Sequence, residues 1–146
     1  LHGVIVRANE VSAAARGFRG ALLVWGPVFA WMAIIFCLSS QPSLPSHPEL
    51  LIDLLVKKGG HVTEFGILAI LAVRSFSLGR PNCMRAKSRT LGLLTAITYA
   101  GLDEVHQSFT PNRHALVTDV AIDTCGALIG ILAVVLWSWH YQNVAK

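Results

Sequence analysis

Several side chains capable of chemistry come together at the end of an otherwise apolar stretch of the sequence. Asp103, Glu104, His106 and Gln107 fall within five residues, and Arg113 follows shortly after them. Carboxylates beside a histidine suit general acid–base catalysis. Arginine is suited to bind a phosphate or a carboxylate through two parallel hydrogen bonds. These residues therefore predict a site for an anionic substrate or ligand.

Two further clusters have the same character. His61 and Glu64 are three residues apart, and Asp119 and Asp123 are four apart, so each pair shares one face of a helix. Lys58 lies about one turn before His61. Ionisable groups at membrane depth are costly, and by default they mark a functional site. We therefore predict that the three clusters form one polar pocket.

The residues of this pocket divide into two predicted roles. In the catalytic role, a carboxylate is the general base and a histidine is the acid. The candidate catalytic residues are Glu104, Asp103, His106, His61 and Glu64. The candidate ligand-binding residues are Gln107, Arg113, Asp119, Asp123 and Lys58.

Three other interpretations of the pocket stay open. The histidines and carboxylates offer enough nitrogen and oxygen ligands for a divalent metal, although the sequence has no HExxH motif and predicts no specific cofactor. The protein could instead bind an envelope ligand without chemistry. A third alternative is an ion-pair network, with Lys58 or Arg113 neutralising carboxylates, that only fixes the register of the helices.

The composition excludes an ordinary soluble domain. The 146 residues are 53% hydrophobic and only 14% charged, whereas a soluble domain carries roughly 25% charged residues. The length allows one compact unit, so residues 1–146 are predicted to form a single membrane domain. The isolated cysteines Cys37, Cys83 and Cys125 indicate neither a disulfide framework nor a cysteine metal site.

The apolar segments predict an all-α bundle of four membrane helices. These helices are predicted at residues 20–38, 60–77, 90–108 and 115–139. The first contains nineteen residues without a charge, close to the ~20 needed to cross a bilayer. Residues 50–58 are too short to cross and are predicted to form an interfacial helix before the second helix. An extension of that second helix is the alternative.

In the fourth helix, small residues continue the stripe of carboxylates. Gly126 and Gly130 follow Asp119 and Asp123 on the same face. A Gly-x-x-x-Gly pattern in an apolar helix is typical of a surface where two helices approach closely. We therefore expect this face of the fourth helix to pack against a neighbour.

The distribution of charge predicts the orientation of the bundle. The N-terminal segment, residues 74–89 and the C-terminal tail together hold nine of the twelve Lys and Arg residues but one of the eight acids. Because cytoplasmic loops are enriched in Lys and Arg, both termini are predicted to lie in the cytoplasm. The pocket then lies toward the extracytoplasmic side. The basic loop is explained by topology and attraction to anionic lipids, and no nucleic-acid partner is predicted.

A series of motifs runs in order through most of the chain. They are Ser39-Ser40-Gln41, Lys58-x-x-His61-x-x-Glu64-Phe65-x-x-Leu68, Asp103-Glu104-x-His106-Gln107-x-Phe109-x-Pro111-x-Arg113 and Asp119-x-x-x-Asp123-x-x-Gly126-x-x-x-Gly130. This order resembles the VanZ-like family of membrane proteins, over about residues 20 to 137. Two positions depart from the family pattern, which has Asn where this chain has Asp123 and often Tyr where it has Phe65. The extra carboxylate favours a bound cation or metal.

The resemblance implies a small multi-pass protein of the bacterial cytoplasmic membrane. It also implies a link with low-level resistance to the glycopeptide teicoplanin, but it carries no defined molecular activity. The expected partners are membrane lipids and an amphipathic or lipid-linked ligand of the cell envelope. A hydrolase or transferase acting on lipid headgroups is the first alternative function, and a structural accessory protein without chemistry is the second.

Overall fold

The structure is a computed structural model in which four α-helices are joined by short connections. They are α1 (His2–Ser39), α2 (Leu50–Gly79), α3 (Arg85–Gln107) and α4 (Val117–Val144). The structure describes residues 2–42, 49–79, 84–111, 113 and 116–144, without the side chains of 2–16, 50, 53, 54, 79 and 141. These described residues contain no strand, so the prediction of an all-α fold is confirmed.

Three of the helices begin earlier than the sequence predicts, including α3, which begins at Arg85 instead of residue 90. Helix α1 begins at His2 instead of residue 20, and it continues through Pro27. Helix α2 begins at Leu50 and runs unbroken through Gly59 and Gly60. The prediction of a separate interfacial helix at residues 50–58 is therefore wrong, because these residues form the first turns of α2. A glycine costs a helix only about 1 kcal/mol relative to alanine, which does not suffice to end a helix with a packed apolar face.

Among the residues that the structure describes, three segments are long and apolar enough to cross a membrane by length and composition. They are Gly17–Ser39, Leu55–Leu78 and Val117–Val144. Helix α3 is not among them, and its last turn carries the polar cluster from Asp103 to Gln107. Large apolar side chains such as Phe29 and Leu132 remain exposed on the outside of the bundle. A surface of this kind suits contact with lipid rather than with water, as in a multi-pass membrane protein.

Helix α2 lies at the centre of the packing. It contacts each of the other three helices. Its side chains Phe65, Leu68, Ala69 and Ala72 are completely buried. His61 precedes Phe65 by four residues and so shares its helix face, and the imidazole is partly buried beside the neighbouring helices.

Helices α2 and α4 approach so closely that the contact requires glycine. A Cβ atom at either Gly126 or Gly130 would collide with the backbone of α2. The predicted packing surface of α4 therefore lies against α2. At Gly126 the colliding backbone belongs to Val62. Since Asp123 lies one turn before Gly126 and His61 adjoins Val62, the same approach brings those two side chains together.

Candidate functional site

The last turn of α3 is tied to the end of α1 through a buried carboxylate. Asp103 is 3% exposed, and its Oδ2 accepts a hydrogen bond from Ser39 Oγ at 2.9 Å. The same oxygen accepts a second hydrogen bond from Gln107 Nε2 at 2.8 Å. Gln107 follows Asp103 by four residues and so lies directly above it on the helix. These contacts fix the orientation of the Asp103 carboxylate.

Two pairs of charged or titratable side chains connect α2 to the first turns of α4. Lys58 forms an ion pair with Asp119. One turn deeper, His61 Nδ1 lies 3.1 Å from Asp123 Oδ1. The spacing of three residues on α2 and four on α4 aligns the two pairs along neighbouring helix faces. Both pairs connect residues about sixty positions apart in the sequence.

His61, Asp103 and Asp123 form a cluster contributed by three different helices. Each offers one atom that could coordinate a metal, and these atoms lie within 4.8 Å of one another. The structure thus joins the three polar clusters of the sequence at one level of the bundle. If the site binds a metal, these three residues are the candidate ligands.

Glu104 has a different environment from the neighbouring Asp103. It is 7% exposed, and its Oε1 accepts a hydrogen bond from the backbone amide of Leu116, which directly precedes α4. A carboxylate at the start of a helix satisfies a free N–H group and interacts favourably with the helix dipole. In the structure Glu104 therefore anchors the start of α4. Its role as a general base stays a prediction.

His106 lies between α1 and α3. Its ring packs against Phe36, with ring centroids 4.3 Å apart, and its Nε2 is 3.0 Å from Ser40 Oγ. The Ser40 hydroxyl donates its single hydrogen to the carbonyl of Phe36 at 2.6 Å. Ser40 can then only accept from His106, so the contact requires a proton on Nε2. This proton holds the ring against α1.

A cavity of about 240 Å³ opens beside the cluster. Its lining residues are Leu38, Ser39, Val56, Lys57, Gly60, His61, Glu64 and Arg113. Of the predicted site residues, His61, Glu64 and Arg113 line this cavity. Arg113 is held in place by a hydrogen bond from its Nε to the carbonyl oxygen of Gln41 at 3.2 Å. Apolar, cationic and acid–base side chains therefore all line this cavity.

Ser39 and Ser40 contact the site but were not among the residues predicted to form it, although the sequence motifs include them. Their contacts to Asp103 and His106 tie α1 to the polar end of α3. The available signal was the Ser-Ser-Gln motif, which is also the ordinary composition of a turn. Two serines shortly before a proline are too common to indicate a buried contact by themselves.

Comparisons with known proteins support the resemblance seen in the motifs. The family model described as VanZ/LLP1 matches residues 24–138, which is most of the chain. No curated protein and no solved structure gives a significant match. The matched region contains every residue of the site described above.

Proposed function

The chain belongs to the VanZ/LLP1 family, and from its cavity we propose that it binds the anionic headgroup of an amphipathic or lipid-linked ligand of the cell envelope. The composition of the cavity carries this proposal. Apolar Leu38 and Val56 share its wall with Lys57 and Arg113. A lipid with a phosphate headgroup has the same two-part chemistry. The guanidinium of Arg113 suits a phosphate because its planar donors can engage two oxygens together.

The size of the cavity limits what it can hold. Sites for drug-sized ligands have volumes of about 300–1,000 Å³, and this cavity has about 240 Å³. The space suits a headgroup and is too small to enclose a whole glycopeptide. A link between this chain and teicoplanin resistance would then act through the envelope ligand and not through direct binding of the antibiotic.

The proposed orientation places the cavity toward the extracytoplasmic side, with both termini in the cytoplasm. The support is the excess of Lys and Arg in the N-terminal segment, residues 74–89 and the C-terminal tail. Helix α3 is proposed as a fourth crossing, because it packs against both α2 and α4 and its polar last turn lies at the level of their polar side chains. A green fluorescent protein fused to the C-terminus should fluoresce and alkaline phosphatase fused there should be inactive. The reverse pattern would contradict this topology.

A hydrolase or transferase acting on the headgroup is the second candidate, favoured by one feature of the cavity. His61 and Glu64 both line it, so an acid and a base would lie beside a bound headgroup. Glu64→Gln should then abolish turnover of the headgroup while binding survives. If no lipid is turned over by the wild type, the protein is a binding protein only.

Binding can be tested on the full chain in an uncharged detergent. Short-chain phosphatidic acid and phosphatidylcholine would be compared by the shift they cause in the unfolding temperature. The proposal expects a preference for the anionic lipid. Arg113→Gln should reduce its affinity about tenfold or more, since a hydrogen bond to a charged group contributes about 1.5–3 kcal/mol.

The matched control is Arg74→Gln, which removes an exposed arginine near the other end of α2. This variant should bind the anionic lipid as the wild type does. Equal affinity of the wild type for the two lipids would contradict the proposal. So would an equal loss in both arginine variants, because that result would mean that overall charge and not the cavity attracts the lipid.

A further inference from the structure

Asp123 is the most completely enclosed carboxylate of the site, and the imidazole of His61 lies beside it. The residue is 1% exposed. Neither of its carboxylate oxygens accepts a hydrogen bond from the described part of the chain. A buried carboxylate without compensation costs several kcal/mol. Something must therefore offset the charge of Asp123 or remove it.

The Nδ1 atom of His61, which lies beside Asp123, also has no hydrogen bond to the described part of the chain. His61 Nδ1 is 3.1 Å from Asp123 Oδ1, but the two atoms lack the alignment of a hydrogen bond. Two atoms that bind the same ion at about 2.1 Å lie about 3 Å apart when their bonds meet near a right angle. The observed separation equals this ligand-to-ligand distance. The third member of the cluster, Asp103, offers its oxygen within 4.8 Å of both.

We infer that His61, Asp103 and Asp123 bind a divalent cation between α2, α3 and α4. Two carboxylates with a neutral imidazole carry two negative charges, which one divalent ion neutralises. An imidazole nitrogen among the donors favours a transition metal such as Mn²⁺ or Zn²⁺ over Mg²⁺ or Ca²⁺, which prefer oxygen donors. Waters would complete the coordination, as they do in open metal sites.

The surroundings of Asp103 suit a ligand that is held in place. Ser39 and Gln107 both donate to its Oδ2, so Oδ1 is the atom assigned to the cation. Ligating carboxylates are usually fixed by such outer hydrogen bonds. The nearby Asp119 is already neutralised by Lys58 and is not assigned to the ion. On α4, Asp119 is therefore paired with a lysine, whereas Asp123 still needs a cation.

The inference does not depend on the proposed lipid ligand. His61 belongs both to the cluster and to the cavity wall, so the ion would lie at the edge of the cavity. Metal binding is nevertheless measurable without any lipid. A failure to bind metal would leave the headgroup proposal standing, and a failure to bind lipid would leave the metal site standing.

The test uses the full chain in detergent after treatment with a chelator. Mn²⁺ and Zn²⁺ are added separately, unbound ions are removed by gel filtration, and the bound metal is measured by elemental analysis. The wild type should retain about one ion per chain. Asp123→Asn and His61→Gln should each weaken binding by at least about tenfold, since even outer contacts of a metal site contribute 10–100-fold.

Asp119→Asn is the matched control, because it neutralises a carboxylate on the same helix one turn away. It should retain the ion, and the wild type and this control should gain thermal stability on adding metal while Asp123→Asn should not. Retention of the ion by Asp123→Asn would overturn the inference. So would a wild type that binds neither metal at millimolar concentration. A loss of stability in Asp123→Asn that is the same with and without metal would also overturn it, because it would assign Asp123 to an ion pair with protonated His61.

Discussion

The hydroxyl of Ser39 donates a hydrogen bond of 2.9 Å to the carboxylate of Asp103, and this contact joins the last residue of α1 to the last turn of α3. Both residues are buried, at 3% exposure each. Helices α1 and α3 otherwise meet over a small area, and a further polar link between them runs from the hydroxyl of Tyr99 to the carbonyl of Met32. The polar end of the bundle is therefore held by a few specific hydrogen bonds.

Ser39→Ala should lower the free energy of unfolding by about 1–3 kcal/mol, because Asp103 would lose one of its two donors inside the bundle. The measurement is a titration with sodium dodecyl sulfate followed by circular dichroism. Ser138→Ala is the control, since the Ser138 hydroxyl donates to the carbonyl of Val134 within its own helix. Equal losses in the two variants would show that the contact between helices has no special importance.

Gly126→Ala should destabilise the bundle, because the added methyl group would meet the backbone of Val62. Overpacking of this kind costs about 1–3 kcal/mol. Gly101→Ala is the matched control on α3, where nothing lies within 4 Å of the added atom. It should be neutral or stabilising by up to about 1 kcal/mol from helix propensity. The unfolding temperatures of both variants would be compared with that of the wild type. An unchanged unfolding temperature for Gly126→Ala would contradict the close approach of α2 and α4.

The ion pair of Lys58 and Asp119 can be tested by exchange of its charges. The two side chains are partly exposed, at 33% and 15%, so solvent screens their attraction and the pair contributes about 1 kcal/mol or less. Lys58→Asp should cost more than this, because it places two carboxylates together. Adding Asp119→Lys should recover most of the loss. A double variant as unstable as the sum of the single variants would show that the residues do not interact.

The proposed link with teicoplanin resistance predicts a phenotype for the cavity. Wild-type protein expressed in a sensitive Gram-positive host should raise the teicoplanin concentration that inhibits growth. Arg113→Ala should abolish this protection and Arg74→Ala should keep it, at equal levels in the membrane. Vancomycin is tested in parallel. If no variant protects although all insert, this chain has no role in teicoplanin resistance, and the search for its envelope ligand continues from lipid extracts of the native host.

Much of the fold follows from the order of apolar and polar residues. The long apolar runs predict membrane helices because a bilayer demands about 20 apolar residues per crossing. The stripe of Asp119, Asp123, Gly126 and Gly130 follows from helical periodicity, and the structure places its glycines against α2. The interfacial helix was predicted wrongly because residues 50–58 alone are too short to cross a bilayer. Local pattern could not decide between a separate helix and an extension of the second helix, and the structure shows the extension.

Sequence alone also determined that the polar clusters lie near one end of the bundle, because position along an apolar helix fixes depth. It could not determine which side chains meet. Periodicity gives the face of a residue on its own helix, but the rotation and approach of the neighbouring helix decide its partner. Asp103 and Glu104 are adjacent in the chain, yet one faces Ser39 and the other faces the amide of Leu116. Only the tertiary structure assigned Asp119 to Lys58 and left Asp123 beside His61, because that choice depends on how closely two glycine-bearing helices pack.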